Sequence, residues 1–219
     1  VGTYVKNAKK IVDEKIKIPS GYSIVWSGQY EYMEKAKKTL NIIIPATLLV
    51  IFILLYIHFG NFIEVIIVMA SLPFALLGGI WLIYLLDYNL SVAVGVGFIA
   101  LAGLATETGI VMLVYLNEVF NRKKSLQGMN SAKDLHESII EGAVERVRPL
   151  IMTVATTLIG LLPVMYGTGS GSQIMKRIAA PMVGGLISST LMTLFIIPVI
   201  YNLWKLWEIK QIKNERTKQ

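Results

Sequence analysis

No cysteine occurs among the 219 residues, which excludes both disulfides and thiolate metal sites. Charge is scarce as well. Asp, Glu, Lys and Arg make up 16% of the chain, where a soluble domain carries about a quarter. The only histidines, His58 and His136, are far apart and share no metal-ligand spacing; they read as an interfacial and a surface residue. The glycine-rich run Gly167-TGSGS has no strand before it and no GK[ST] ending, so it is not a phosphate loop. No initiating Met is present, and the chain opens on a basic amphipathic stretch rather than a signal peptide. That start is expected of a piece of a longer chain.

What is abundant is apolar. Hydrophobic residues reach 54%, and mean hydropathy is +0.61. A hydrocarbon core about 30 Å thick needs about 20 apolar residues in a helix. Five segments meet that requirement, at about 40–59, 63–86, 90–118, 149–166 and 178–206. In lipid the backbone must satisfy its own hydrogen bonds, so these are helices. The expected fold is an all-α membrane protein with five transmembrane helices. Pro45, Pro73, Pro163, Pro181 and Pro198 fall in or near spans and mark kinks.

The polar segments set the topology. The long connection Asn121–Arg148 carries Arg122, Lys123, Lys124, Lys133, Arg146 and Arg148, and contains a helical pattern, Ser131-AKDLHESIIEGAVERV. The tail carries Lys205, Lys210, Lys213, Arg216 and Lys218. Five spans put this loop and the tail on one side, while the short loops opposite hold only Lys176 and Arg177. The positive-inside rule then places the C-terminus in the cytoplasm and the N-terminus outside. The N-terminal stretch holds the remaining lysines, but large outside domains escape the rule. The net charge of +7 therefore suits anionic lipid, and no solvated aromatic–basic groove points to nucleic acid.

The chain divides into residues 1–38, a transmembrane domain at 39–206 with a cytoplasmic helical loop at 121–148, and a basic cytoplasmic tail at 207–219. Residues 1–38 read as part of a soluble domain. Tyr4 to Ile16 is helical, Pro19-Ser20-Gly21 is a turn, Tyr22-SIVWS alternates like a strand, and Tyr30 to Lys38 is helical again. One strand makes no sheet, so its partners are expected on chain outside this sequence or on another subunit.

Within the third span, Gly103-LATETGIVMLVYL, sits Glu107. It lies roughly three residues past the middle of the span, about 5 Å from the midplane at 1.5 Å rise per residue. An ionised carboxylate at that depth costs several kcal/mol unless it has a partner or water, and such acids are functional by default. Glu107 is the candidate proton carrier; the alternative is a permanently protonated acid bonded to a neighbouring helix. Gly95, Gly97, Gly103 and Gly109 share its helix, and with Gly78-Gly79 and Gly184-Gly185 they allow close helix approach. Met175, in the outside loop before Arg177, is a thioether suited to soft ions such as Cu(I) or Ag(I); packing is the plainer reading of it. Tyr201, Trp204 and Trp207 close the last span as an interfacial anchor.

Several stretches together resemble a known family. They are Trp26-SGQYEYMEKA, Ser71-LPFALLGGIWL, Leu90-SVAVGVGFIALAGLATETGIVMLVYL, Arg146-VRPLIMTVATTLIGLLPVMYGTGSGSQIMKRIAAPMVGG and Leu194-FIIPVIY. The chain is similar over nearly its whole length to the C-terminal end of resistance–nodulation–division (RND) efflux pumps. The heavy-metal branch, and within it the copper/silver pumps, is the nearest. The resemblance implies that the five spans are the last five of twelve, and that residues 1–38 end a periplasmic α/β porter domain. It implies a homotrimeric inner-membrane pump, driven by proton influx, that works with a periplasmic adaptor and an outer-membrane channel. No cofactor is implied; the metal ion is cargo. Glu107 falls on the family's acidic relay position, here within Ala105-Thr-Glu-Thr-Gly, and Met175 falls where the copper/silver pumps have a metal-path Met. One departure stands out: those pumps have a relay Lys after Arg-Val-Arg-Pro, and this chain has Leu150. Thr153 is the nearest polar group on that helix and takes a lesser role. The rival expectations are an RND exporter of other divalent metals or of organic compounds, a truncated fragment that transports nothing, and an intramembrane hydrolase. The hydrolase would need a second acid or a Ser/His pair at matching depth, which is not visible.

Overall fold

The structure, a computed structural model, describes residues 2–16, 19, 21, 23–127 and 132–216. Ser20, Tyr22, Ser131 and Lys218, assigned above to the turn, strand, loop helix and tail, lie outside them. The described residues form eight α-helices and no strand: α1 (Gly2–Lys15), α2 (Gln29–Phe59), α3 (Phe62–Met69), α4 (Ser71–Leu85), α5 (Val92–Gln127), α6 (Ala132–Tyr166), α7 (Ser172–Leu191) and α8 (Ile197–Arg216). A single π turn, Met192–Ile196, joins the last two. Five stretches are long and apolar enough to cross a membrane: Tyr30–Phe59, Phe62–Leu85, Val92–Ser125, Lys133–Tyr166 and Ser172–Glu208. The five-span all-α architecture holds, and the chain is a multi-pass membrane protein. Large apolar side chains such as Trp81, Leu85 and Ile159 stay exposed along these helices, as lipid-facing residues do.

Contacts divide the chain into two compact units, Val1–Leu54 and Leu55–Gln219. In the first, Lys9 lies over the Tyr30 ring at 4.7 Å, and Lys35 pairs with Glu31 at 2.6 Å. Ser23–Ser27 forms no regular element. Among the described residues there is no strand for it to pair with. The helix expected at 30–38 does not stop before the first span. It continues through Pro45 as one 31-residue helix.

In the second unit, α4 and α7 pack closely because both carry glycine where they cross. A Cβ on Gly78 would strike Gly184 O and the Ser188 side chain, and one on Gly184 would strike Gly78 O and the Leu82 Cβ. Ser188 Oγ donates to Phe74 O across the same crossing at 2.8 Å. Gly97 on α5 likewise meets Ile178 O and the Pro181 ring, while Gly95 and Gly103 face open space. Of the four glycines on α5, then, Gly97 makes the closest approach, and Gly109 stands near Ser71.

The second span is interrupted between α3 and α4. Pro73 lacks the N–H that would reach back to Met69, so the ladder loses a bond there. Ser71 Oγ bridges the interruption, donating to Val68 O at 2.7 Å and lying 3.3 Å from Ala105 O on α5. The π turn stands just before Pro198, another position with no N–H to give.

The expected loop 121–148 is helical almost throughout. α5 runs 36 residues and α6 runs 35, about 54 and 52 Å at 1.5 Å per residue. Both outrun a hydrocarbon core of about 30 Å on the same side. The protruding arms are joined by Arg122–Glu141 at 2.8 Å, Lys123–Glu141 at 2.6 Å and Arg122–Glu145 at 3.7 Å. Gly142 sits against Val119 where the arms converge.

Candidate functional site: a carboxylate cavity between membrane helices

Glu107 leaves α5 on the face turned toward α6. It lines a small cavity of about 60 Å³ with Thr108, Arg146, Leu150, Thr153 and Thr157. A space of that size admits a few waters. The floor is apolar: Leu150, Val154 and Leu186 are buried, with Leu104, Leu158 and Leu194 packed on them. Two sequence-identified residues, Glu107 on α5 and Thr153 on α6, therefore meet at one site. Leu150 lies beside them with 1% of its surface exposed, an apolar wall where a lysine would have introduced a charge.

Arg146 is the residue that sequence reading left in the loop. It lies one turn before Leu150 and lines the same cavity. Its guanidinium sits 5.3 Å over the Tyr115 ring, and its Nε is buried without a hydrogen-bond partner among the described residues. An unpartnered buried donor beside a carboxyl is costly when the acid is neutral and useful when it is ionised. The available signal was spacing: Arg146, Leu150 and Thr153 repeat at i, i+4 and i+7 on one helix face.

The hydroxyls around Glu107 have committed their protons to the backbone. Thr108 Oγ1 donates to Ala105 O at 3.0 Å, Thr153 Oγ1 to Pro149 O at 3.1 Å, and Thr157 Oγ1 to Thr153 O at 2.9 Å. Their oxygens remain as acceptors. The cavity thus offers a cation to the ionised acid and acceptor oxygens to the protonated one. Thr106, buried and bonded to Ala102 O at 2.8 Å, does not line it.

Met175 is placed differently from expectation. It lies in the first turn of α7 rather than in a loop, because Gly169 and Gly171 take the positive-φ conformations that end the turn and start the helix early. The side chain is 54% exposed at the rim of an open groove formed by Val164 and residues 167–174. Among the described residues no group of three or more His, Cys, Asp or Glu gathers at metal-binding distance.

A second polar cluster, not anticipated from the sequence, occupies the other end of α5. Glu64 is 6% exposed and accepts from Asn117 Nδ2 at 2.8 Å. Asn117 Oδ1 in turn accepts from Tyr201 Oη at 2.6 Å. Tyr201, expected in the interfacial belt, is fully buried, whereas Trp207 is 58% exposed.

Residues 1–205 match the AcrB/AcrD/AcrF family, and the chain belongs to that family of transport proteins. It is 48% identical over 90% of its length to the cation efflux system protein CusA of Escherichia coli and to the putative cation efflux system protein SilA of Salmonella typhimurium. It is 34% identical over 92% of its length to the cobalt-zinc-cadmium resistance protein CzcA of Cupriavidus metallidurans. A crystal structure of a heavy metal efflux pump superposes on 94% of the chain with a TM-score of 0.77 at 31% identity. The chain spans about a fifth of the length of these relatives: 19% of CusA, 18% of CzcA and 19% of the solved pump.

Proposed function

We propose that this chain forms the C-terminal transmembrane end of an RND pump that exports heavy-metal cations across the inner membrane, with Cu(I) and Ag(I) as the preferred ions and proton influx as the drive. The observation that carries the reading is the cavity joining Glu107, Arg146 and Thr153 on a bundle similar to a heavy-metal pump. Ionised Glu107 draws Arg146 and water into the cavity. Protonated Glu107 releases that cation and turns to the threonine oxygens. Each change alters the side-chain packing between α5 and α6. The motion passes along α5 and the helices crossing it, and through α2 to a periplasmic porter domain of which residues 1–38 are the end. A proton moving down 100 mV supplies about 2.3 kcal/mol, so no nucleotide is needed.

On this reading the N-terminus is periplasmic and the C-terminus cytoplasmic. The protruding α5–α6 arms enter the cytoplasm, where their lysines and arginines meet anionic lipid. The pump is a homotrimer engaged with a periplasmic adaptor and an outer-membrane channel. Preference for soft ions rests on the Met175 thioether at the groove rim and on the higher identity to the CusA and SilA proteins than to CzcA.

The test is metal tolerance in a pump-deficient host expressing the full-length pump that carries this chain. Protection against silver and copper, with little against zinc, cobalt or cadmium, is the expected result. Protection confined to zinc, cobalt and cadmium would replace the soft-ion assignment, and protection against none would remove the export reading. Met175→Leu is expected to lower silver tolerance several-fold at matched membrane abundance; unchanged tolerance would return Met175 to packing.

A further inference from the structure

Two charged side chains are buried among the described residues, Glu64 and Lys205, and they line the same pocket. It measures about 330 Å³ and is walled by His58, Glu64, Asn117, Asn121 and Lys205. The pocket forms where α2 ends and α3 begins, against α5 and α8. Any further chain packed on this unit can deepen the burial of Glu64 but cannot undo it.

The two charges are held differently. Lys205 has its own partners: Glu208 at 2.8 Å, and the rings of Trp204, Phe120 and Tyr201 at 4.0, 4.9 and 5.9 Å. Glu64 has no salt bridge among the described residues. Its hydrogen bond comes from neutral Asn117, which is itself held by Tyr201. A carboxylate supported by a neutral amide, rather than locked to a cation, can change protonation without breaking an ion pair. Asn117 donates equally to a carboxylate or to the carbonyl oxygen of the acid. The groups facing Glu64 are therefore His58 from α2, Asn117 and Asn121 from α5, and Tyr201, Lys205 and Glu208 from α8.

Asn117 lies ten residues beyond Glu107 on α5, about 15 Å nearer the protruding end of that helix. A proton that enters on the far side and passes Glu107 must leave at this end. We propose that Glu64 is the proton-exit carboxyl of the pump: its carboxylate takes a proton from hydronium in internal water, becomes the neutral acid, and returns the proton to water of the His58–Lys205 pocket on the cytoplasmic side. No redox change or co-reactant is involved, and water is both donor and acceptor. Tyr201 and Asn117 are positioning residues that keep the carboxyl at the pocket wall. The inference rests on the proton-driven reading above and extends it to a second carboxyl.

The full-length pump in proteoliposomes, with silver ion as cargo and a pH dye inside, tests it. Wild type, Glu64→Gln, Glu64→Asp and Glu107→Gln are compared at equal protein, with silver binding measured separately. Gln retains the acceptor for Asn117 and so preserves the fold contact, but it carries no proton. The expected result is a tenfold or greater loss of silver-coupled proton flux in Glu64→Gln with silver binding unchanged, and recovery of most of the flux in Glu64→Asp. Full flux in Glu64→Gln alongside a dead Glu107→Gln overturns the exit role and leaves the proton-driven reading intact. Full flux in both removes both. If Glu64→Gln does not accumulate, Glu64→Asp decides: a shifted dependence of flux on cytoplasmic-side pH supports the assignment, and an unshifted one overturns it.

Discussion

Glu107→Gln is expected to reduce silver and copper tolerance to that of cells without the pump, while protein abundance in the membrane stays at the wild-type level. The substitution is nearly isosteric, and glutamine can still hydrogen-bond to waters in the cavity of about 60 Å³. What it removes is the change of charge. With a permanently neutral side chain, Arg146 has no anion to approach in either half of the cycle. A neutral residue at this depth also costs less to bury than a carboxylate. Stability should therefore hold or rise, which separates loss of coupling from loss of fold. Tolerance equal to wild type in Glu107→Gln would make Glu107 a structural acid and end the coupling scheme. Arg146→Gln supplies the complementary measurement: it is expected to lower tolerance at least tenfold, because the cavity lining then offers the ionised acid no cation.

The other large effect is steric. Gly184→Val is expected to disrupt the α4–α7 crossing and to lower the melting temperature of the purified pump by many degrees. A side chain at residue 184 runs into Gly78 O and Leu82 Cβ, one of them backbone that cannot rotate away. Overpacking of this kind typically costs about 1–3 kcal/mol and occasionally more, and here the main chain of the partner helix must itself move. Gly160→Ala is the control, since a Cβ at Gly160 meets open space, and it should leave the melting temperature unchanged. Equal melting of Gly184→Val and wild type would show that the helices are not in the contact described. Van der Waals fit carries unusual weight at such a crossing, because lipid offers the same apolar surroundings that a partner helix does.

The spans were legible because transfer into hydrocarbon is a property of composition, and composition is on the page. Glu107 was legible for the same reason: a single acid in an apolar stretch needs no structure to be noticed. The ends of the helices were not. Hydropathy falls at Asn121 and recovers at Pro149, yet water tolerates a helix as well as lipid does. α5 and α6 continue through a segment that a hydropathy profile reads as loop. Arg146 was hidden by the same step, because its position next to Thr153 depends on that continuation. Tyr201 was misplaced, and Glu64 passed over, for a different reason. Each stands near the end of a span, where side chains commonly reach the interface, and only the packing of α3, α5 and α8 turns both toward Asn117. Ser23–Ser27 is not a strand among the described residues, because alternation expresses a preference for a sheet whose other strands were expected outside this sequence.

The π turn at Met192–Ile196 makes chain length, more than chemistry, the constrained variable of the last span. Inward positions fall at every fourth residue from Gly185 through Ser189, Thr193, Ile197 and Tyr201 to Lys205. An uninterrupted helix of 3.6 residues per turn loses about 40° of phase at each such step, so its buried stripe would wander around the rod. One wider turn takes back a large part of that drift at mid-span, like a leap day inserted into a calendar. α7 can then keep its small residues against α4 while α8 still presents a phenol and an ammonium to α5. Apolar replacements in this stretch leave the phase untouched. A single insertion or deletion would shift it by about 100° and turn Tyr201 and Lys205 toward lipid.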